Sequence, residues 1–335
     1  MENRKGVEAV VSAFDKVSRA EWMEKITTDL KGKEMSSLNW EFDNDLNISP
    51  FANSEDVNNR HSDIAFDPKW ELAEEFDVSD EAVSNAEILE ALSFGAETIM
   101  LVVHDVPDWS VLLKDVALEM IKTYVIPDEG IGQAVIASIK EWLEAQGNAP
   151  DATISVRSGG GLTMDQANLR AEKSAIDVLV HTLKQGISAT EDGYDDEHIE
   201  CVAHIGDSFF VEVARLRALK ILWHNILAAT SKSGPTLFVE SRFAPEAMNS
   251  DVHMNMISAG SKALAAICGG SDRVLIAPSD PEADLFSRRI SRNIHHIFRM
   301  ESKLDTIPDP VQGSWYLEKL TAQMVEAAWK QLTED

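Results

Sequence analysis

Basic side chains are scarce in this sequence. Its 335 residues contain 30 Lys plus Arg against 57 Asp plus Glu, which gives a formal net charge of −27. Proteins that bind nucleic acids or anionic lipids do so mainly through clusters of Lys and Arg. The composition therefore excludes nucleic acid and the membrane surface as partners. Repulsion between like charges favours solubility, or a partner that covers part of the surface.

Cysteine and long apolar runs are also scarce. The two cysteines, Cys201 and Cys268, lie within apolar patterns typical of buried thiols, so a disulfide framework is excluded. The N-terminus lacks the apolar stretch of a signal peptide. No run approaches the roughly 18 apolar residues of a membrane span. We therefore predict a soluble protein of the cytoplasm, where thiols stay reduced.

Familiar catalytic motifs are absent. The sequence has no Gly-Lys-Ser/Thr phosphate loop, no G-x-G-x-x-G, no H-E-x-x-H and no G-x-S-x-G. His295 and His296 are neighbours on a predicted helix, where side chains diverge, and we interpret them as part of an exposed helix face. The acidic run Asp195–His198 has the oxygen ligands of a cation site, but such loops are common in a chain of this charge. No metal site is predicted.

Short β-branched runs alternate with long amphipathic stretches from about residue 70 onward. The candidate strands are Thr98–Val103, Thr153–Val156, Ile199–Ile205, Thr236–Glu240 and Arg273–Ala277, with weaker ones near Trp70–Phe76 and Thr123–Ile126. Such alternation predicts a parallel sheet with helices outside it. Seven strands at similar spacing favour an α/β barrel of the TIM type over two Rossmann halves. Because no eighth strand can be counted, the sequence leaves open whether the barrel closes with eight strands or is shortened or incomplete.

The N-terminal part has a different character. Apolar residues recur at helical spacing from Val7 to Val17, and residues 43–62 are rich in Asp, Asn and Ser. We therefore divide the chain into an N-terminal helix with an extended arm, residues 1–62, and a (β/α) barrel domain, residues 63–335.

A glycine-rich loop is the main candidate for ligand binding. Arg157, Ser158, Gly159, Gly160 and Gly161 follow a predicted strand and precede a helix. The backbone N–H groups of such a loop can bind a phosphate, with the arginine nearby. The alternative is a flexible connection without a ligand. Arg242, near the end of another predicted strand, is the second candidate cation for a ligand.

Three segments carry a resemblance to a known family. They are Phe209–Ala218 followed by Leu222 and Trp223, Ala263–Ser271 (ALAAICGGS), and Asp309–Thr321 (DPVQGSWYLEKLT). In order and spacing they resemble the F-x-E-I-A-K-L-R-A, A-L-A-A-V-x-G-G-T and D-P-x-G-G-S-Y-Y-x-E-x-L-T segments of the methylmalonyl-CoA mutase family. The resemblance covers roughly residues 165–335, and more weakly the N-terminal arm.

The resemblance implies a barrel that threads an acyl-CoA along its axis. It also implies adenosylcobalamin, held between the barrel mouth and a separate flavodoxin-like domain. In active members the cofactor starts a radical rearrangement of the carbon skeleton, while the protein positions the substrate and shields the radical.

The sequence departs from the active members of that family. Residues 238–248 contain no His, Gln or Gly where active barrels carry their histidine segment, and the first tyrosine, Tyr124, lies far downstream of the expected position. The chain between the arm and Phe209 is shorter, and no cobalamin domain follows before Asp335. The near misses to the cobalamin motif D-x-H-x-x-G, at Asp196–Cys201 and Asp251–Met256, lack its glycine. No catalytic residue is therefore assigned, and no bound cobalamin is expected on this chain alone.

These observations favour a small-subunit-like barrel without catalysis. Such a barrel would stabilise a catalytic large subunit as a heterodimer, or would form a homodimer. One alternative is an acyl-CoA mutase barrel that uses cobalamin from a separate protein, and another is an acyl-CoA-binding barrel without chemistry. The charge of −27 supports the first interpretation, because the phosphates of CoA need cations and the predicted strand ends offer few beyond Arg157 and Arg242.

Overall fold

A computed structural model describes residues 17–42, 46–56, 66–147, 154–157, 163–165, 174–191, 198–230, 236–243, 248–280 and 282–334. The chain forms two compact units, residues 1–58 and residues 59–335. The boundary predicted at residue 62 falls in a stretch, 57–65, that lies outside the described residues, and it stays a prediction. Most of the apolar repeat from Val7 to Val17 also lies outside them.

The first unit is small and mixed. Its elements are helix α1 (Arg19–Asp29), a 3₁₀ turn (Met35–Leu38) and the antiparallel pair β1 (Trp40–Phe42) and β2 (Leu46–Ile48). Helix α1 begins at a capping box, in which Ser18 and Glu21 each accept a hydrogen bond from the other's backbone N–H. The rings of Trp22 and Phe51 meet edge to face with centroids 5.7 Å apart, which gives this unit an aromatic contact of its own.

The second unit is built on an eight-stranded parallel sheet. The strands are β3 (Glu71–Val78), β4 (Thr98–Val103), β5 (Lys122–Pro127), β6 (Ile154–Val156), β7 (Thr163–Asp165), β8 (His198–Ile205), β9 (Thr236–Phe243) and β10 (Arg273–Leu275). Seven of them were predicted from the sequence. The eighth, β7, has only three residues and follows the glycine loop directly, so it has no apolar run from which it could be predicted.

The strand order makes this sheet an incomplete TIM-type barrel. Its order is β6-β5-β4-β3-β10-β9-β8-β7, and β10 pairs with β3 in parallel, so the first and last strands of the unit are neighbours. Each strand otherwise lies beside its neighbour in the chain, except at one place. Among the described residues, no ladder joins β6 to β7. The prediction of an α/β barrel, shortened or incomplete, is thereby confirmed.

Helices surround the sheet. They are α2 (Glu81–Ser93), α3 (Trp109–Leu112), α4 (Gly132–Ala145), α5 (Ala175–Glu191), α6 (Phe209–Thr230), α7 (Val252–Cys268), α8 (Leu285–His296, continued by a π turn, Ile297–Glu301) and α9 (Trp315–Glu334). Four of them start at an aspartate whose side chain accepts a hydrogen bond from the first turn, namely Asp80, Asp108, Asp251 and Asp284. None of the helices in the described part is long and apolar enough to cross a bilayer.

Side chains alternate between the two faces of each strand. On the outer face, Phe76 of β3 and Leu101 of β4 pack with Ile88 of α2 in a buried apolar cluster.

The helix face that carries the two histidines is also buried in part, since His295 is only 1% exposed. The interpretation of His295 as an exposed residue is therefore wrong. It accepts a hydrogen bond from a buried tryptophan, a contact that helix periodicity alone does not reveal.

Candidate functional site in the barrel lumen

Charged side chains line much of the inner face of the sheet, beside a small apolar cluster of Ala73, Met100 and Leu275. The members of this lumen network are Glu71 and Glu75 of β3, Lys122 and Tyr124 of β5, Arg157 after β6, Glu200 of β8, Glu240 and Arg242 of β9, and Arg273 of β10. Four cations face four carboxylates in this set. The lumen is therefore close to neutral, although the whole chain is strongly acidic.

Arg273 is the centre of the network. Its Nε atom donates to Glu71 at 2.8 Å, and its Nη1 atom donates to Glu200 at 2.7 Å and to Glu240 at 2.9 Å. Its Nη2 atom donates to the Tyr124 hydroxyl at 2.6 Å. The side chain is fully buried. Burial opposes its charge, but Tyr124 and the carboxylates of Glu240, Glu71 and Glu200 raise its pKa above the ordinary arginine value.

Arg157 meets the same carboxylates from the other side. Its Nη2 atom lies 2.5 Å from Glu200 Oε1 and 2.6 Å from Glu240 Oε2. Its guanidinium also stacks over the ring of Tyr124, with the carbon 4.7 Å from the centroid. Arg157 is thus held by two ion pairs and one aromatic face.

Arg242 completes the network toward the C-terminal end of the strands. Its Nε atom donates to Glu240 at 2.5 Å and its Nη1 atom donates to Glu75 at 2.6 Å. Burial would raise the pKa of Glu240, but the charges of Arg242, Arg157 and Arg273 hold the pKa of this carboxyl far below its ordinary value. Glu240 therefore stays ionised as the hub for all three guanidinium groups.

The structure brings together two of the predicted site residues. Arg157 and Arg242 share Glu240 as an ion-pair partner. Ser158, Gly159, Gly160 and Gly161 lie outside the described residues, so ligand binding by that loop stays a prediction. Sequence reasoning missed the carboxylates and Arg273. The signal for them is the alternation of charged with apolar residues inside strands, as in the run TLFVESRF of β9.

The two ends of the barrel differ. At the N-terminal end of the strands a cavity of about 850 Å³ is lined by Trp70, Phe238, Lys122 and Arg299, among others. At the C-terminal end, His104 lies between two carboxylates. Its Nδ1 atom is 2.9 Å from Asp128 and its Nε2 atom is 3.2 Å from Asp77. Hydrogen bonds to Asp128 and Asp77 raise the pKa of His104 above its ordinary value.

The described residues can be compared with two requirements, the ligands of a metal ion and the histidine of the cobalamin motif. Within the described part of the chain, no group of three or more His, Cys, Asp or Glu side chains is placed to hold a metal. Of the near misses to the cobalamin motif, His198 begins strand β8 and His253 lies in the first turn of helix α7. Neither histidine stands in the loop after a strand where that motif operates, so no step through cobalamin is derived for this chain.

The chain is similar to known mutases over most of its length. Residues 189–334 match the methylmalonyl-CoA mutase family. The methylmalonyl-CoA mutase small subunit of Porphyromonas gingivalis is 25% identical over 391 aligned positions, which cover 96% of this chain and 63% of that protein. The small subunit of Propionibacterium freudenreichii subsp. shermanii is 26% identical, covering 86% of this chain and 52% of that protein.

A methylmalonyl-CoA mutase of Cereibacter sphaeroides is 33% identical over a shorter stretch, with 39% of this chain and 19% of that protein covered. The chain therefore spans less than two thirds of the length of these relatives. The lumen belongs to the same unit as the matched segment. The resemblance predicted from the three motifs is confirmed, because all three lie within residues 189–334, which match the methylmalonyl-CoA mutase family.

Proposed function

We propose that this chain is a small-subunit-like, catalytically inactive barrel that binds and stabilises the catalytic large subunit of an adenosylcobalamin-dependent methylmalonyl-CoA mutase. The similarity to two proteins named as small subunits, over 96% and 86% of this chain, supports that assignment. In the assembled enzyme, adenosylcobalamin would supply the radical chemistry on the catalytic subunit. This chain would bind no cobalamin itself.

The observation that carries the proposal is the network of ion pairs that occupies the lumen. Glu240 and Arg273 are fully buried on the inner face of the sheet, 2.9 Å apart, where a substrate of the family would thread along the axis. Displacing either one would leave its buried partners with fewer counter-charges, which is unfavourable. A barrel with this interior is better suited to a structural role than to substrate binding.

Inward polar groups of β9 and β5 are already bound within the network. On β9 the inward side chains include Phe238, Glu240 and Arg242, and both charged ones are committed to ion pairs. The Tyr124 hydroxyl accepts a hydrogen bond from Arg273. Its ring lies between two guanidinium groups, which are 4.2 and 4.7 Å from its centroid. Tyr124 thus serves the lumen network and is not available to a substrate.

The net charge supports a heterodimer over a homodimer. Two copies would bring together two chains of −27, and their mutual repulsion would oppose association. A different subunit can offer complementary charge over a large interface, which in stable complexes buries more than ~2,000 Å². The buried free thiols Cys201 and Cys268 suit a reducing compartment, and we place the assembly in the cytoplasm.

Co-expression with a tagged catalytic subunit of a methylmalonyl-CoA mutase tests the proposal. We expect the two chains to co-purify in equal amounts, and the catalytic subunit to unfold at a higher temperature in the complex than alone. The chain by itself, supplied with acyl-CoA and adenosylcobalamin, is expected to show no turnover. Failure to co-purify at physiological salt would overturn the partner assignment.

A second candidate function is an acyl-CoA-binding barrel, with or without mutase chemistry. The cavity of about 850 Å³ favours it, because its size suits a small-molecule ligand. Calorimetry with a CoA thioester separates the possibilities. Binding without turnover would support a binding barrel, and turnover with a separate cobalamin protein would support a split mutase. If calorimetry detects no heat of binding, both alternatives are excluded.

A further inference from the structure

In the described part of the barrel, a seam lies between β6 and β7, where no backbone ladder joins the two strands. Strands β6 and β7 are neighbours in the chain, yet among the described residues β6 pairs only with β5, and β7 pairs only with β8. Edge strands of this kind are held on one side alone and tend to open locally. Some other interaction must keep the two edges together if the barrel is to stay closed.

One side chain reaches across that seam. The backbone N–H of Arg157 donates to the Val125 carbonyl at 2.8 Å, so Arg157 extends β6 along β5. Its guanidinium binds Glu200 on β8 at 2.5 Å and Glu240 on β9 at 2.6 Å. Glu200 lies opposite Thr163 of β7 in the ladder, so the ion pair passes over β7 and joins the β6 side to the strands beyond.

We propose that Arg157 is a latch that closes the barrel across the β6–β7 seam through its ion pairs with Glu200 and Glu240. Adjacent strands in a sheet lie about 4.8 Å apart. An arginine side chain that extends from β6 is therefore long enough to reach β8, the strand after β7. The ion pairs of Arg157 hold the two edges together, as backbone hydrogen bonds do between the other strands. This inference concerns the barrel itself and does not depend on the proposed function.

A variant without the latch should still fold. Arg273 also binds Glu200 and Glu240, at 2.7 and 2.9 Å, so both carboxylates keep a cation when Arg157 is replaced. Arg273 extends from β10, on the far side of the barrel from β6. It neutralises the two carboxylates and also donates to Tyr124 of β5, but no contact between Arg273 and β6 itself is described.

The chain offers a matched control at Arg217 on helix α6. Arg217 binds two carboxylates, Asp309 and Glu318, and lies over one aromatic ring, Phe66. Its side chain is 5% exposed, against 11% for Arg157. Replacing either arginine by Gln removes one buried charge, two ion pairs and one aromatic contact, but Arg157 spans the seam and Arg217 does not.

Hydrogen–deuterium exchange of the full chain tests the latch. In Arg157→Gln we expect peptides from β5, β6 and β8 to exchange about tenfold faster than in the wild type, with β3 and β4 unchanged. Arg217→Gln should leave the exchange rates of these peptides from β5, β6 and β8, the seam peptides, unchanged. Glu200→Gln removes the β8 end of the latch and should affect the same peptides by a smaller factor.

Three results would overturn the proposal. The seam peptides could exchange at the wild-type rate in Arg157→Gln, all strands could speed up equally, or Arg217→Gln could open the seam to the same extent. If Arg157→Gln fails to fold, Glu200→Gln decides alone. Faster exchange confined to the seam peptides then supports the latch, and unchanged exchange excludes it.

Discussion

Trp70 Nε1 donates a hydrogen bond of 3.0 Å to Nδ1 of His295, and both side chains are buried. A histidine that accepts at Nδ1 is neutral, with its proton on Nε2. Burial, with smaller effects from Arg299 and His296, lowers the pKa of His295 to about 3. This pair connects the residue before β3 to the last turn of helix α8, and it does so only while His295 is uncharged.

The neutral state of His295 predicts a loss of stability in acid. In the unfolded chain this histidine binds a proton below about pH 6.5, whereas in the folded chain it resists protonation down to about pH 3. Its contribution to stability is therefore complete above pH 6.5. It falls by up to ~1.4 kcal/mol per pH unit below that value. Urea unfolding between pH 7 and pH 4.5 measures the slope, which His295→Gln should reduce. An unchanged slope in this variant would contradict the assignment.

The hub position of Glu240 predicts an effect on stability. Replacing Glu240 by Ala leaves Arg157, Arg242 and Arg273 with fewer buried partners, so we expect the free energy of unfolding to fall by about 3–5 kcal/mol. Glu75, which is less buried and binds only Arg242 among the lumen arginines, provides the comparison. Glu75→Ala should cost clearly less. Chemical denaturation measures both variants, and equal losses would argue against a hub at Glu240.

His104 should respond to pH in the opposite direction from His295. Hydrogen bonds to Asp128 and Asp77 raise its pKa, so the charged ring stabilises the folded state below about pH 6.5. That contribution disappears as the pH rises through the folded pKa. Titration of the histidine ring signals by NMR should give a pKa above the ordinary value in the wild type. The pKa should be lower in Asp128→Asn, and a value that does not change would rule out the contact.

Two glycines predict opposite effects of the same substitution. Gly270 has φ of +85°, and a Cβ atom there would lie 2.5 Å from a ring carbon of Phe66. Gly270→Ala should therefore lower the free energy of unfolding by about 2–4 kcal/mol, from left-handed strain and overpacking. Gly260, inside helix α7, has nothing within 4 Å of such an atom, and Gly260→Ala should stabilise by up to about 1 kcal/mol. Thermal unfolding of both variants checks the sign of each change.

The parallel barrel could be predicted from the sequence because its strands are long apolar runs separated by amphipathic helices. The run Thr98–Val103 is an example, since five of its six residues are buried. Strand β7 could not be predicted in this way. Three residues, Thr163–Asp165, carry too little pattern, and their pairing with β8 is a long-range contact. Short strands inside a barrel depend on their neighbours more than on their own composition.

The candidate site was predictable only in part. Arg157 and Arg242 were identified as cations near strand ends, but their carboxylate partners lie 43 and 167 residues away in the chain for Glu200 and Glu75. Only the closure of the sheet brings these charges together. His295 shows the same limit, because its partner Trp70 is 225 residues away. Local periodicity indicates which face a residue occupies, and it does not indicate what covers that face.

The gap between β6 and β7 in the described part of the sheet also has a mechanical consequence. A closed tube resists twisting because strain runs around its whole circumference, whereas a slotted tube passes that strain only through the wall opposite the slot. In this barrel the halves β3–β6 and β7–β10 are joined by the ladder between β3 and β10, which holds three residue pairs. The charged side chains that span the interior therefore add torsional stiffness that the ladders on this side do not supply.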